Sequence, residues 1–260
     1  MRVIFPYNPL NEKEADGAFN DEYLQLKQKG IACSLFDYDA LQFNEFRPKP
    51  GLNEGDLVLY RGWMLNPKAY EKLSNLVGKR GGKMLTSTAN FLKSHHLPGW
   101  YKQVHEFTPE TIFINHEKDV VSAAEQSGWC KFFVKDFVKS NYSERGSIAN
   151  SPQEINEIIG LIRKHRGDIE GGIALRRVET FIEESEVRYF VFNGKPYSPT
   201  GGVPPLVGEI AARHKAPFYS VDIVQRADGE LRLIEIGDGQ VSDIKNWQVT
   251  VFCQVLVENS

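Results

Sequence analysis

The chain has 260 residues, 41% hydrophobic and 25% charged, enough apolar content for one large domain or two small ones. Its 31 basic and 34 acidic residues give a net charge of −3, which argues against an extended nucleic-acid binder, since that would carry a basic excess. Cys33, Cys130 and Cys253 are scattered without metal-ligand spacing, so free thiols in a reducing, cytoplasmic compartment are expected. No apolar run approaches the ~18 residues of a membrane span.

Met1 leads directly into a buried strand over 2–6 rather than into a signal peptide. Residues 11–29 have helical composition, with Ala15, Phe19, Tyr23 and Leu26 forming an apolar stripe that ends at Gly30. Strands are expected over 31–38 and 57–60, a helix opened by Pro67 to about Gly78, and a strand over 83–86. This alternation implies a parallel sheet flanked by helices. No glycine-rich fingerprint follows the first strand, so a dinucleotide site there is not expected. Arg61 follows the 57–60 strand at its carboxyl end, the edge where open α/β sheets bind ligands. Its guanidinium suits a carboxylate or phosphate; the alternative is a surface arginine stacked on Trp63.

Residues 87–108 are expected to be partly helical, interrupted at Leu97-Pro98-Gly99. A segment through Ile112-Phe113-Ile114 and a helix over 120–127, ended by Gly128, come next. In the following strand, 129–138, Lys131, Phe133, Lys135 and Phe137 share one face and Phe132, Val134 and Val138 the other. A lysine among aromatics needs a partner, so Lys135 reads as a cleft-lining cation facing an anion, or else as a side chain snorkelling past Phe133. The polar, glycine-bearing loop over 139–147 could cover phosphates with its backbone N–H groups. Ser151 as N-cap and Glu154 at the capping-box position open a helix to about Arg166.

Ile173 to Ile182 is strand-like and carries Arg176, Arg177 and Glu179. The run after it holds Glu186 and Arg188 and reaches a hairpin at Asn193-Gly194. A short helix spans 206–214, and a closing helix 247–257. Between them, 218–243 reads as two strands around Asp228-Gly229. A two-residue loop there sets Arg226 opposite Leu231 and Asp222 opposite Glu235, with carboxylates roughly 5 Å apart at Cβ. Such a pair is relieved by a divalent cation such as Mg²⁺, or by pointing to solvent at a sheet edge. Because its strands are joined by hairpins, this half should be antiparallel.

The order of these features resembles the ATP-grasp superfamily. The features are FFVKDF (132–137), a polar loop, VETFI (178–182), Glu186-Val187-Arg188, and an acid-bearing hairpin closing on IEIGDG (234–239). More narrowly, YRGW (60–63) and IEIGDGQVS (234–242) are similar to sequences of its R2K clade. The resemblance implies an α/β N-terminal, pre-ATP-grasp-like domain over 1–95 and an α+β ATP-grasp domain with antiparallel sheets over 96–260. It implies ATP and Mg²⁺ as cofactors. Lys135 and Lys93 would contact the nucleotide, with Glu179, Phe181 and Ile182 at its base, and Glu186 and Arg188 matching an acid-x-Arg pattern near phosphate. Asp222 and Glu235 match the metal-binding acids. Where many members have Glu-x-Asn, this chain has Glu235-Ile236-Gly237; the resemblance leaves the third ligand open, with Asp238 as the candidate to replace the asparagine. Arg188 and Arg61 are the expected catalytic cations, and Arg61, Arg176 and Arg177 would hold an anionic substrate. The implied activity is ligation of a small-molecule or peptide carboxylate to an amine through an acyl phosphate. The alternatives are an ATP-binding module without ligase chemistry, or an enzyme modifying a peptide, protein or nucleobase.

Overall fold

The structure is a computed structural model and describes residues 1–138 and 146–260. Its packing divides the chain into two compact units. The first comprises residues 1–92, 188–220 and 238–260, the second 93–187 and 221–237. The packing differs from a 1–95 and 96–260 division in gathering two later segments into the first unit.

The first unit opens with β1 (Arg2–Asn8), β2 (Asn11–Ala15), α1 (Asn20–Gln28) and β3 (Ala32–Phe36). β4 (Leu57–Tyr60), α2 (Pro67–Gly78), β5 (Lys83–Met84) and α3 (Thr88–His95) follow, α3 running on into the second unit. β1 pairs in parallel with β3 and β4, and β4 with β5, giving the expected parallel α/β arrangement. Val3, Ile4 and Phe5 are fully buried, as an unbroken apolar run in a parallel strand should be.

Residues 11–15 depart from the expected helix. They form an edge strand antiparallel to β1, with Asn8 opposite Asn11. Glu12, Lys13 and Glu14 are exposed and only Ala15 is buried, the charged composition that protects a sheet edge. Asp16-Gly17 then separates the strand from α1, so local helix propensity yields to sheet pairing.

The second unit contains α4 (Leu97–Val104), β6 (Thr111–Ile114), α5 (Val120–Ser127), β7 (Phe132–Asp136), β8 (Ile148–Ala149), α6 (Pro152–Arg166) and β9 (Ile173–Arg177). Leu97-Pro98-Gly99, expected as an interruption, instead opens α4, with proline in the first turn where its missing N–H is harmless. Ser151 caps α6 by accepting from the Glu154 N–H. The antiparallel sheet has the order β6-β9-β7-β8. One face of β7 and β9 (Phe132, Val134, Ile173, Leu175) joins Val120, Ala124, Ile155, Ile158 and Ile162 in a buried core. Period-2 alternation turns Phe133, Lys135 and Arg176 to the other face.

The remaining elements are β10 (Phe181–Phe192), β11 (Lys195–Tyr197), α7 (Pro205–Arg213), β12 (Phe218–Arg226), β13 (Leu231–Asp238) and α8 (Val249–Glu258). Strands are ordered β11-β10-β12-β13, and β10, β12 and β13 each run from one unit into the other. Asn193 (φ 47°) and Gly194 (φ 81°) make a two-residue hairpin with Phe192 opposite Lys195. The Asp228-Gly229 hairpin differs. Gly229 N–H donates to Arg226 C=O, and Arg226 N–H to Glu230 C=O, so the loop has three residues and Arg226 faces Glu230 rather than Leu231. At the open end Gly239 N–H donates to Phe218 C=O. Gly239 lies nine positions beyond Glu230 while Phe218 lies eight before Arg226, so β13 carries one extra residue.

Candidate functional site

The second unit brings several of the expected residues together. Lys135 stands on β7 opposite Ala174, a neighbour too small to cover it. It is 5% exposed, and its ammonium donates to Glu235 Oε1 at 2.6 Å. Arg176, on the same face one pair further along, reaches β13 and donates from Nη1 to Ile234 C=O at 2.8 Å. Its Nη2 donates to Thr108 Oγ1 at 2.6 Å, and the Thr108 hydroxyl donates to Leu233 C=O at 2.7 Å. Successive carbonyls of a regular strand point to opposite edges. Leu233 and Ile234 are nevertheless both held by side chains outside the hairpin, Thr108 and Arg176. Counted from the Gly239–Phe218 bond, Asp222 falls opposite Glu235; counted from the turn, it falls opposite Ile234.

Burial pushes the Arg176 guanidinium down to about 10, against the opposing pull of the Glu235 carboxylate, so it stays cationic at neutral pH. Lys135, Arg176 and Glu235 thus gather at one place, and Asp222 is buried on β12, the strand beside β13. The donor set fits Mg²⁺. The two acids supply hard oxygens, and no cluster of three or more His, Cys, Asp or Glu side chains arranged for a metal occurs among the described residues. Magnesium commonly takes one or two carboxylates and fills its remaining positions with phosphate and water. The same face suits a phosphate group, since the Lys135 ammonium lies beside Glu235.

Glu179 follows β9 and is clamped bidentately by Arg232, at 3.0 Å from Nε and 2.9 Å from Nη2. It lines a cleft of about 800 Å³ with Val178, Thr180, Tyr101 and His105. Phe181 is half-buried and Ile182 exposed at the start of β10, with Glu186 exposed further on. Lys93 is half-buried on α3. Arg177 is exposed, 3.6 Å from Glu110. Most of the polar loop expected to cover phosphates lies outside the described residues.

Other expected residues belong to the first unit and have different tasks. Arg61 is fully buried. It forms a bidentate pair with Glu22 (2.8 and 2.7 Å), and its Nη1 donates to the carbonyls of Gly239, Gln240 and Ser242. Phe252 lies under it at 4.8 Å. With its donors committed inside the fold, Arg61 is a brace for the turn after β13 and neither a substrate contact nor a surface arginine. Arg188 is also fully buried and donates to the carboxylate and carbonyl of Asp243, so its expected catalytic role lacks an open approach. Arg176 likewise grips backbone rather than offering itself to a substrate. Asp238 accepts from the backbone and side-chain N–H groups of Gln240 through Oδ1, while its Oδ2 is buried without a hydrogen-bond partner. Burial pushes its carboxyl up to about 7.

Sequence reasoning missed Thr108, Arg232 and Glu22. Glu22 had a signal: three residues after Phe19 and four before Leu26, it shares the apolar stripe of its helix, where a carboxylate requires a cation. Thr108 had none.

With this geometry described, comparison with known proteins identifies the family. A model of the ATP-grasp domain, R2K clade family 3, matches residues 126–256, half of the chain. The chain belongs to the R2K clade of ATP-grasp proteins. No curated protein matches it. Solved structures share the ATP-grasp fold at low identity. A D-alanyl-alanine synthetase A from Vibrio cholerae has a TM-score of 0.65 at 12% identity, covering 100% of this chain and 98% of that one. A D-cycloserine synthetase gives 0.62 at 13%, covering 100% and 99%. A macrocyclase from Microcystis aeruginosa, bound with its precursor peptide, gives 0.61 at 11%, covering 100% of both. No helix among the described residues of this R2K protein is long and apolar enough to cross a membrane. All three cysteines are free thiols.

Two predictions follow from the buried charges. Arg61→Ala leaves Glu22 uncompensated and should lower stability by ~3–5 kcal/mol in urea unfolding. Arg61→Lys should rescue it poorly, since an ammonium cannot match the bidentate carboxylate and three carbonyls. A loss below ~1 kcal/mol for Arg61→Ala, the size expected of a surface pair, would contradict the brace. For Asp238 the folded pKa is raised, so between about pH 4 and pH 7 the native state binds more protons than the unfolded one. Stability should therefore fall as pH rises through that window, and Asp238→Asn should flatten the fall. Parallel pH–stability curves for the two proteins would contradict this.

Proposed function

We propose that this protein is an ATP- and magnesium-dependent ligase that joins a carboxylate to an amine through an acyl phosphate, releasing ADP. The observation that carries the reading is the meeting of Lys135 and Glu235 on facing strands of one unit, in a chain of the ATP-grasp family. In this reading a substrate carboxylate oxygen attacks the γ-phosphorus of ATP and the β–γ bridging oxygen leaves with ADP. The amine nitrogen then attacks the acyl carbon, its carbon–oxygen bond to phosphate breaks, and the amine proton is lost.

The chain's residues have distinct tasks. Lys135 exchanges its contact with Glu235 for phosphate oxygens, which keeps a buried ammonium paired in both states. Asp222 and Glu235 hold Mg²⁺, which when bound neutralises charge on the phosphates. Glu179, with Phe181 and Ile182 after it, frames the base end, while Lys93 and Glu186 are further nucleotide contacts. Arg177 remains the solvent-facing cation for an anionic substrate. A third metal contact from Asp238 would require its buried Oδ2. The substrates in this reading are small-molecule or peptide acids and amines, and the compartment is the cytoplasm.

The test is to supply ATP, Mg²⁺ and pools of carboxylic and amino acids with hydroxylamine as a trap for acyl phosphate. The expected result is hydroxamate with ADP and phosphate. Lys135→Ala and Glu235→Gln should each reduce ADP formation by about 10²–10³-fold without loss of folded circular dichroism. Release of AMP and pyrophosphate, or unchanged turnover in both variants, would overturn the reading.

A further inference from the structure

We propose that Thr108 and Arg176 are positioning residues, a two-point clamp that fixes the irregularity of β13 and thereby aims Glu235 at its cation partners. The proposal rests on the magnesium-nucleotide reading above and extends it to residues that the reading leaves without a task.

The clamp acts on consecutive backbone groups. Thr108 Oγ1 donates to Leu233 C=O at 2.7 Å and accepts from Arg176 Nη2 at 2.6 Å, while Arg176 Nη1 holds Ile234 C=O at 2.8 Å. Glu235 is the next residue, and its carboxylate meets Lys135 at 2.6 Å. Thr108 is 1% exposed and Arg176 5%, so water cannot readily replace either contact.

The extra residue in β13 gives this clamp its leverage. Side chains alternate between faces with a period of two, so a one-residue change of register sends a side chain to the opposite face. Register counted from the three-residue turn would put Ile234 opposite Asp222. Register counted from Gly239 puts Glu235 there. In the proposal the two registers meet at Leu233-Ile234, the consecutive carbonyls held by Thr108 and Arg176. Without the grip, β13 can shift its extra residue along the strand and turn Glu235 away. The clamp thus selects the register in which Glu235 faces Lys135 and adjoins Asp222. Arg176 is suited to this because its planar guanidinium holds two acceptors in fixed geometry, which a lysine does not.

The experiment compares wild type, Thr108→Val and Thr108→Ser. Valine matches threonine in shape but lacks the hydroxyl, and serine restores it. Calorimetry with a non-hydrolysable ATP analogue measures the Mg²⁺ concentration that gives half-maximal enhancement of binding, and amide hydrogen exchange follows residues 233–236. Outer-shell partners of metal ligands commonly contribute 10–100-fold to metal affinity. Thr108→Val should raise the Mg²⁺ requirement by about tenfold or more, leave metal-free analogue affinity within about twofold, and speed exchange locally. Thr108→Ser should restore wild-type behaviour, and Arg176→Lys should behave like Thr108→Val. If wild type shows no Mg²⁺-enhanced binding, the nucleotide reading itself fails. If wild type shows it and Thr108→Val matches wild type in Mg²⁺ requirement and exchange, the clamp is overturned. Should Thr108→Val unfold, Arg176→Lys alone decides, and a wild-type Mg²⁺ requirement in that variant overturns the proposal.

Discussion

A buried ammonium and a carboxylate, 100 residues apart in sequence, meet between Lys135 and Glu235. Lys135 is buried and Glu235 half-buried, and pairing offsets the several kcal/mol that a buried ammonium costs when it is left alone. The requirement constrains both strands. β7 must turn its even alternation of apolar residues to the α5–α6 core and its lysine to the other face. β13 must present a glutamate at the matching position, which it does with one extra residue and two gripped carbonyls. A site formed in this way is a pair of charges awaiting exchange of partners. In the proposed function, magnesium and phosphate would replace each member of the pair for the other without leaving either charge bare.

The first unit solves a related problem with different residues. Arg61 collects Glu22 and three carbonyls of the turn that follows β13. These contacts fix the turn that follows β13 within the first unit. The arginine of YRGW therefore holds the backbone of the GDGQVS turn.

The sequence made some of this legible. Alternation in FFVKD left Lys135 either a buried cation facing an anion or a side chain snorkelling past Phe133, and its contact with Glu235 is the former. Asn193-Gly194 specified a two-residue hairpin. Asp228-Gly229 looked equivalent but closes a three-residue loop, in which the Asp228 carboxylate accepts from the Glu230 N–H and from Arg226. A dipeptide marks the turn, while side-chain bonds around it choose the length. The edge strand at 11–15 was hidden because glutamate, lysine and alanine favour helix locally and only the presence of β1 makes a strand of them. Arg61 was legible as an unusual position and misread as to its partner: Glu22 lies 39 residues away, and only tertiary packing unites them. Thr108 carried no periodic or motif signal, because its role is set by the carbonyl it meets.

The central claim is that Asp222 and Glu235 hold the magnesium of a bound nucleotide beside Lys135. It is tested most directly by calorimetric titration of a non-hydrolysable ATP analogue, with and without Mg²⁺, into wild type and Asp222→Asn. The account predicts tighter binding with Mg²⁺ in wild type and loss of most of that enhancement in Asp222→Asn. Equal enhancement in both proteins, or no binding under either condition, would contradict it.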